Sequence, residues 1–129
     1  MGNLDQLKAV TFDVFGTVVD WRSSIAREIN LLADEKEVSI DGAEFASAWR
    51  SLYQPSMSKV RSGEIPFQPL DALHRNNLNT VLEQYDIDQL SELEKVHLNR
   101  VWHRLDPWPD VIEGLVRLKE RYIIGTLSN

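Results

Sequence analysis

The sequence contains no cysteine. Disulfides, thiolate metal sites and a cysteine nucleophile are therefore excluded together. It also lacks any apolar run approaching the ~20 residues of a membrane span, and its opening, MGNLDQLK, is short, polar and charged, unlike a signal peptide. A cytoplasmic location with no membrane partner is the expectation. Gly2 matches a myristoylation start, but Gln6 stands where that signal has Ser or Thr. Positive charge is scarce. Fourteen Lys and Arg face 20 Asp and Glu, and a net charge of −6 argues against a general binder of nucleic acid or anionic membrane. The three histidines, His74, His97 and His103, show no paired metal spacing, so they are read as surface or packing residues and no metal or other cofactor is expected. Internal repeats and low-complexity segments are also missing.

What is present suits one modest globular domain: 129 residues, 43% of them apolar. Ala9-Val10-Thr11-Phe12 is short, β-branched and apolar, and Gly16-Thr17 stops it, which predicts a buried strand. From Trp21 the period turns helical through Ile25, Ile29 and Leu32, to about Asp34. DGAEFASAWRSLY sets Phe45, Trp49 and Leu52 on one face, and RSGEIPFQP, with Gly63, Pro66 and Pro69, reads as a loop. LDALHRNNLNTVLEQY is helical again. Ser91 and Glu94 make a capping box for a further helix, and LDPWPD breaks it, with Pro109 suited to the first turn of the next. That helix runs to about Arg121, and YIIGTL reads as a second short strand. The charged DEKE, Asp34 to Glu37, reads as a helix end and loop, and Trp102 and Trp108 as packing residues between the two parts of the chain.

The order is strand, about four helices, one further helix, strand. Two apolar strands separated by helices pair in parallel through a long crossover, which predicts an α/β, Rossmann-like sheet carrying an inserted helical bundle. Ligands of such sheets sit at the carboxyl ends of the strands, which brings Asp13 and Ser128 to one place. On its own, Asp-x-x-Gly also describes a carboxylate that merely turns the chain. Gly16 and Thr17 after the Asp, with LSN ending the other strand, form a more specific pattern.

FDVFGTVVD with a later TLSN resembles the haloacid dehalogenase superfamily, and within it the L-2-haloacid (type II) dehalogenases. The likeness covers essentially the whole chain, since the helical insert is similar to that family's cap. It implies a first core segment at 1–20, a helical cap at 21–105 and a second core segment at 106–129. It implies that Asp13 is the nucleophile, attacking carbon 2 of a small 2-haloacid to form an aspartyl ester that water then hydrolyses. Thr17 would hold the carboxylate, Ser128 would help bind the substrate carboxylate, and Asn129 would line the site near the leaving halide. AWRSLY resembles the segment with the halide-binding arginine, Arg50, while Phe67 and Phe15 would be walls and the Val14 amide would lie near the substrate carboxylate. Without the resemblance, Arg50 reads as a solvated residue on an amphipathic helix.

Phe15 has a chemical meaning. The superfamily's phosphatases usually carry Asp two places after the nucleophile, to protonate a poor leaving oxygen. Phenylalanine has no proton to give, and a halide needs none. It needs a positive partner, as a cap arginine provides. Phe15 is also an ordinary space-filling residue.

The family's pattern continues with a lysine that balances charge at the nucleophile and an acidic loop that positions water. Lys8, Lys36, Lys59, Lys95 and Lys119 all precede LSN. A doubly wound domain also needs further strands, on the order of 90 residues more. The expectation is thus a fragment of a longer enzyme with an incomplete core, inactive or limited to one turnover, and stabilised by self-association such as strand exchange in a homodimer. Two alternatives stand beside dehalogenation: a Mg²⁺-dependent phosphate-ester hydrolase of the same superfamily, and a non-catalytic interaction module.

Overall fold

The computed structural model describes residues 4–128. They fall into two compact units. One comprises the segments up to Trp21 and from Leu105 onward, and the other comprises Arg22–Arg104.

The first unit holds the sheet. Strands β1 (Ala9–Phe12) and β2 (Ile123–Thr126) pair in parallel, with Ala9 opposite Ile123 and Phe12 opposite Thr126. The parallel α/β pairing expected from the sequence is therefore present, with two strands among the described residues. The expectation of buried strands is not met. Val10, Phe12 and Ile124 are half-buried, whereas Ala9, Thr11 and Gly125 are exposed and Ile123 is 73% exposed. Alternate residues point to opposite faces, so one face has partial cover and the other has none among the described residues. The helix in contact with β2 is α6 (Val111–Lys119), which has no buried residue of its own. It starts two residues after Pro109, behind Asp110, and ends two short of Arg121.

The second unit is helical: α1 (Trp21–Lys36, its first residue in the sheet unit), α2 (Gly42–Ser51), α3 (Tyr53–Arg61), α4 (Leu70–Gln84) and α5 (Glu92–Asn99), then a 3-10 turn at Arg100–His103. Its core is apolar and aromatic, built on Ile25, Ile29, Phe45, Trp49, Leu78 and Val81, each no more than 2% exposed. The segment read as one helical face splits at Leu52, which ends α2 and begins α3 in αR geometry without a side-chain cap. Asp41 starts α2 by accepting from the amides of Ala43 and Glu44 at 2.9 and 3.0 Å. Gly42 lies so close to α1 that a Cβ there would meet the Ala26 carbonyl and the Asn30 side chain, while its amide donates to Asn30 Oδ1 at 3.0 Å. Ser91 and Glu94 form the expected capping box. Lys36 pairs with Glu94 at 2.6 Å, and this pair together with the Ser91 amide lowers the Glu94 carboxyl to about 2. Arg104 grips Glu28 with two parallel bonds of 3.1 and 2.9 Å, which tie the end of the bundle to α1 and lower the Glu28 pKa.

Candidate active site

The turn after β1 is built by its backbone. The Val14 carbonyl accepts from the amides of Thr17, Val18 and Val19 at 3.2, 2.9 and 3.2 Å, and the Gly16 amide donates to the Val19 carbonyl at 2.9 Å. Gly16 has φ +89°, where a side chain is strained, which explains glycine at this place. Phe15 and Val19 form an isolated bridge, and Phe15 is half-buried. A second segment locks the turn. The Asp20 amide donates to the Asp106 carbonyl at 2.8 Å, the Trp108 amide to Val18 at 3.1 Å, and Trp108 Nε1 to the Gly16 carbonyl at 3.0 Å. Trp108 thus helps hold the glycine turn, a role its sequence position does not announce.

This turn presents Asp13 exposed, one residue past β1, with Thr17 Oγ1 donating to Asp13 Oδ2 at 2.9 Å. The hydroxyl fixes one carboxylate oxygen. At the same end of the sheet the Leu127 amide donates to the Phe12 carbonyl at 2.7 Å, extending the ladder one step beyond β2. Ser128 follows, exposed, level with the Asp13–Val14 turn by register. Asp13, Val14, Phe15, Thr17 and Ser128 therefore share one end of the parallel pair. Asn129 lies outside the described residues. No group of three or more His, Asp or Glu among the described residues is arranged to hold a metal ion.

Arg50 and Phe67 belong to the helical unit. Phe67 precedes α4 and is 84% exposed. Arg50, on the last turn of α2, is half-buried, its guanidinium carbon 4.4 Å from the Tyr53 ring centroid and 5.9 Å from that of Trp102. It is therefore seated on aromatic faces rather than loose on a solvated helix. His74 meets both rings, stacked on Trp102 at 4.4 Å and nearly parallel to Tyr53 at 6.1 Å. Burial, and next the Arg50 charge, push the His74 pKa down from 6.5 to about 4. Tyr53, His74 and Trp102 were not legible as a group. Only Tyr53, three residues beyond Arg50, carries a local spacing signal.

No helix among the described residues is long and apolar enough to cross a membrane. A family model described as haloacid dehalogenase-like hydrolase matches residues 7–129. The chain is similar to (S)-2-haloacid dehalogenase 4A of Burkholderia cepacia, at 28% identity over 127 residues, covering 98% of this chain and 52% of that protein. Among solved structures, a defluorinating L-2-haloacid dehalogenase superposes with a TM-score of 0.90 at 47% identity, over 95% of this chain and 51% of that one. A second L-2-haloacid dehalogenase gives 0.87 at 39% identity, over 95% and 52%. The chain spans about half the length of the relatives it matches.

Proposed function

Since the chain belongs to the haloacid dehalogenase-like hydrolase family, we propose that its protein hydrolyses L-2-haloacids to D-2-hydroxyacids through an ester on Asp13. The observation that carries this reading is the pairing of an exposed, Thr17-held Asp13 with Phe15 two residues on, where a proton donor for a leaving oxygen would stand. In the first step an Asp13 carboxylate oxygen bonds to carbon 2, and the carbon–halogen bond breaks with its electron pair leaving on the halide. Attack from the opposite side inverts carbon 2. In the second step water adds to the ester carbonyl, the acyl–oxygen bond breaks, and the hydroxyacid departs as Asp13 is regenerated and one proton is released. Carbon 2 is untouched in that step, so the single inversion stands.

Each remaining residue has a role. The Val14 amide and Ser128 bind the substrate carboxylate. Arg50 takes the developing halide, whose charge a guanidinium offsets best where water is thinned out. The family resemblance gives Asn129 a role beside the halide, and Phe15 and Phe67 wall the substrate. Residues 21–105 serve as cap, and 1–20 with 106–129 as core. The partner is a small halogenated acid, the setting the cytoplasm, and the exposed sheet edge gives a second copy of the chain a place to pair.

The test is halide release from L-2-chloropropionate by the natural protein and by its Asp13→Asn variant. L-2-fluoropropionate runs alongside, because a relative is named as defluorinating. Release that vanishes in the variant, with D-lactate as product, is expected. Release equal to the variant's, or magnesium-dependent hydrolysis of p-nitrophenyl phosphate in its place, removes the dehalogenase reading.

A further inference from the structure

Thr17 sits between two carbonyls that one residue holds. Trp108 donates from Nε1 to the Gly16 carbonyl at 3.0 Å and from its backbone amide to the Val18 carbonyl at 3.1 Å. Its own carbonyl accepts from the Val111 amide at 3.1 Å, where α6 begins. Every hydrogen-bonding group of Trp108 thus has a partner, two of them in the turn that carries Thr17, although the residue is 37% exposed. The segment around it is stiff. Pro107 and Pro109 fix their own φ, and a residue that precedes proline is pushed toward extended backbone. Pro107 also bridges Val19 in the antiparallel sense, and the Asp106 carbonyl takes the Asp20 amide at 2.8 Å. Residues 106–108 therefore form a short strap along 18–20, with the indole reaching two residues further, to Gly16.

We infer that Trp108 is a positioning residue for the nucleophile, acting through Thr17: its indole N–H fixes the Gly16–Thr17 peptide and so keeps the Thr17 hydroxyl aimed at Asp13. This rests on Asp13 as the nucleophile, proposed above. The need for a tether comes from Gly16. At φ +89° glycine gives the turn a conformation other residues resist, but the same freedom lets the peptide that follows it rotate cheaply. The amide side of that peptide has a long bond, Thr17 to the Val14 carbonyl at 3.2 Å, on an oxygen shared with the Val18 and Val19 amides. The carbonyl side has the Trp108 indole. Rotation of this peptide swings the Thr17 Cα–Cβ bond, and threonine is stiff at χ1, so the hydroxyl moves with the backbone. Its bond to Asp13 Oδ2, at 2.9 Å, is already near the long end of the O–H···O range. Phenylalanine would fill the same space as Trp108; only a ring N–H makes the bond.

Two variants separate the bond from the bulk. Trp108→Phe keeps a ring without the donor, and Trp108→His restores an N–H, because imidazole Nε2 overlays indole Nε1. In the natural protein with labelled threonine methyl groups, three-bond couplings to the Thr17 methyl carbon report χ1 without any turnover. Wild type and Trp108→His should show one rotamer, and Trp108→Phe an average over several. With L-2-chloropropionate, Trp108→Phe should lower kcat about tenfold with KM within about twofold, and Trp108→His should recover most of the loss. In a Thr17→Val background Trp108→Phe should cost less than about twofold, since both changes remove the same alignment. Trp108→benzothienylalanine, with sulfur in place of the N–H and the bulk unchanged, should match Trp108→Phe in every readout. A single Thr17 rotamer in both variants that lack the donor, or an undiminished loss of kcat on the Thr17→Val background, overturns the inference. Halide release that survives Asp13→Asn, with the Thr17 couplings still averaged in Trp108→Phe, removes the Asp13 reading and leaves the tether standing.

Discussion

Asp13 and Thr17 are four residues apart, yet one bond of 2.9 Å makes them a unit. The glycine turn brings the hydroxyl back over the carboxylate, and for the nucleophile proposed above a fixed carboxylate is worth more than a free one because attack demands alignment. Thr17→Val keeps the side-chain volume and removes the hydroxyl. It should lower kcat for L-2-chloropropionate on the order of 10²-fold with a smaller change in KM, as steady-state kinetics would show. This pairing was legible through the family resemblance, because the strand, Asp, Gly and Thr that carry it lie in one short stretch. The seat of Arg50 was not, since one of its two rings, Trp102, comes from the distant 3-10 turn. His74 adds a pH dependence of its own. The unfolded chain takes up its proton below 6.5 and the folded chain only below about 4, so stability is full above 6.5 and falls as pH drops towards 4. The loss is at most roughly 3 kcal/mol. Urea unfolding at pH 7 and 4.5 should show a smaller difference in His74→Phe than in the wild type, the remainder coming from carboxylates with lowered pKa such as Glu28.

Among the elements, helix ends show both what local sequence dictates and what it conceals. The Ser91–Glu94 capping box is written in four residues and forms as read. The break at Leu52 carries a quieter signal, Pro55 in the first turn of α3, which has no N–H to give the Ser51 carbonyl and so interrupts the ladder while the chain resumes helical geometry at once. Two other ends carry strain. Glu37 after α1 and Asp86 after α4 adopt φ of +56° and +54°, with Schellman-type bonds from Val38 to the Ala33 carbonyl and from Ile87 to the Leu82 carbonyl. A side chain at that place is unfavourable, and glycine is not. Glu37→Gly should raise stability by about 0.5–1 kcal/mol, seen as a higher urea midpoint with an unchanged slope.

At the scale of the whole molecule, the order of strands and helices followed from periodicity, and the parallel pairing followed from the helices between the strands. The burial of β1 and β2 did not follow. An apolar, β-branched stretch specifies a strand, but which faces are covered depends on residues elsewhere in the chain. The most direct test is rapid-quench peptide mass spectrometry after mixing the protein with L-2-chloropropionate. The expected result is a peptide containing Asp13 that carries an added propionate unit and is unmodified in Asp13→Asn. An Asp13 peptide that stays unmodified at every quench time while chloride is released would contradict covalent catalysis by Asp13.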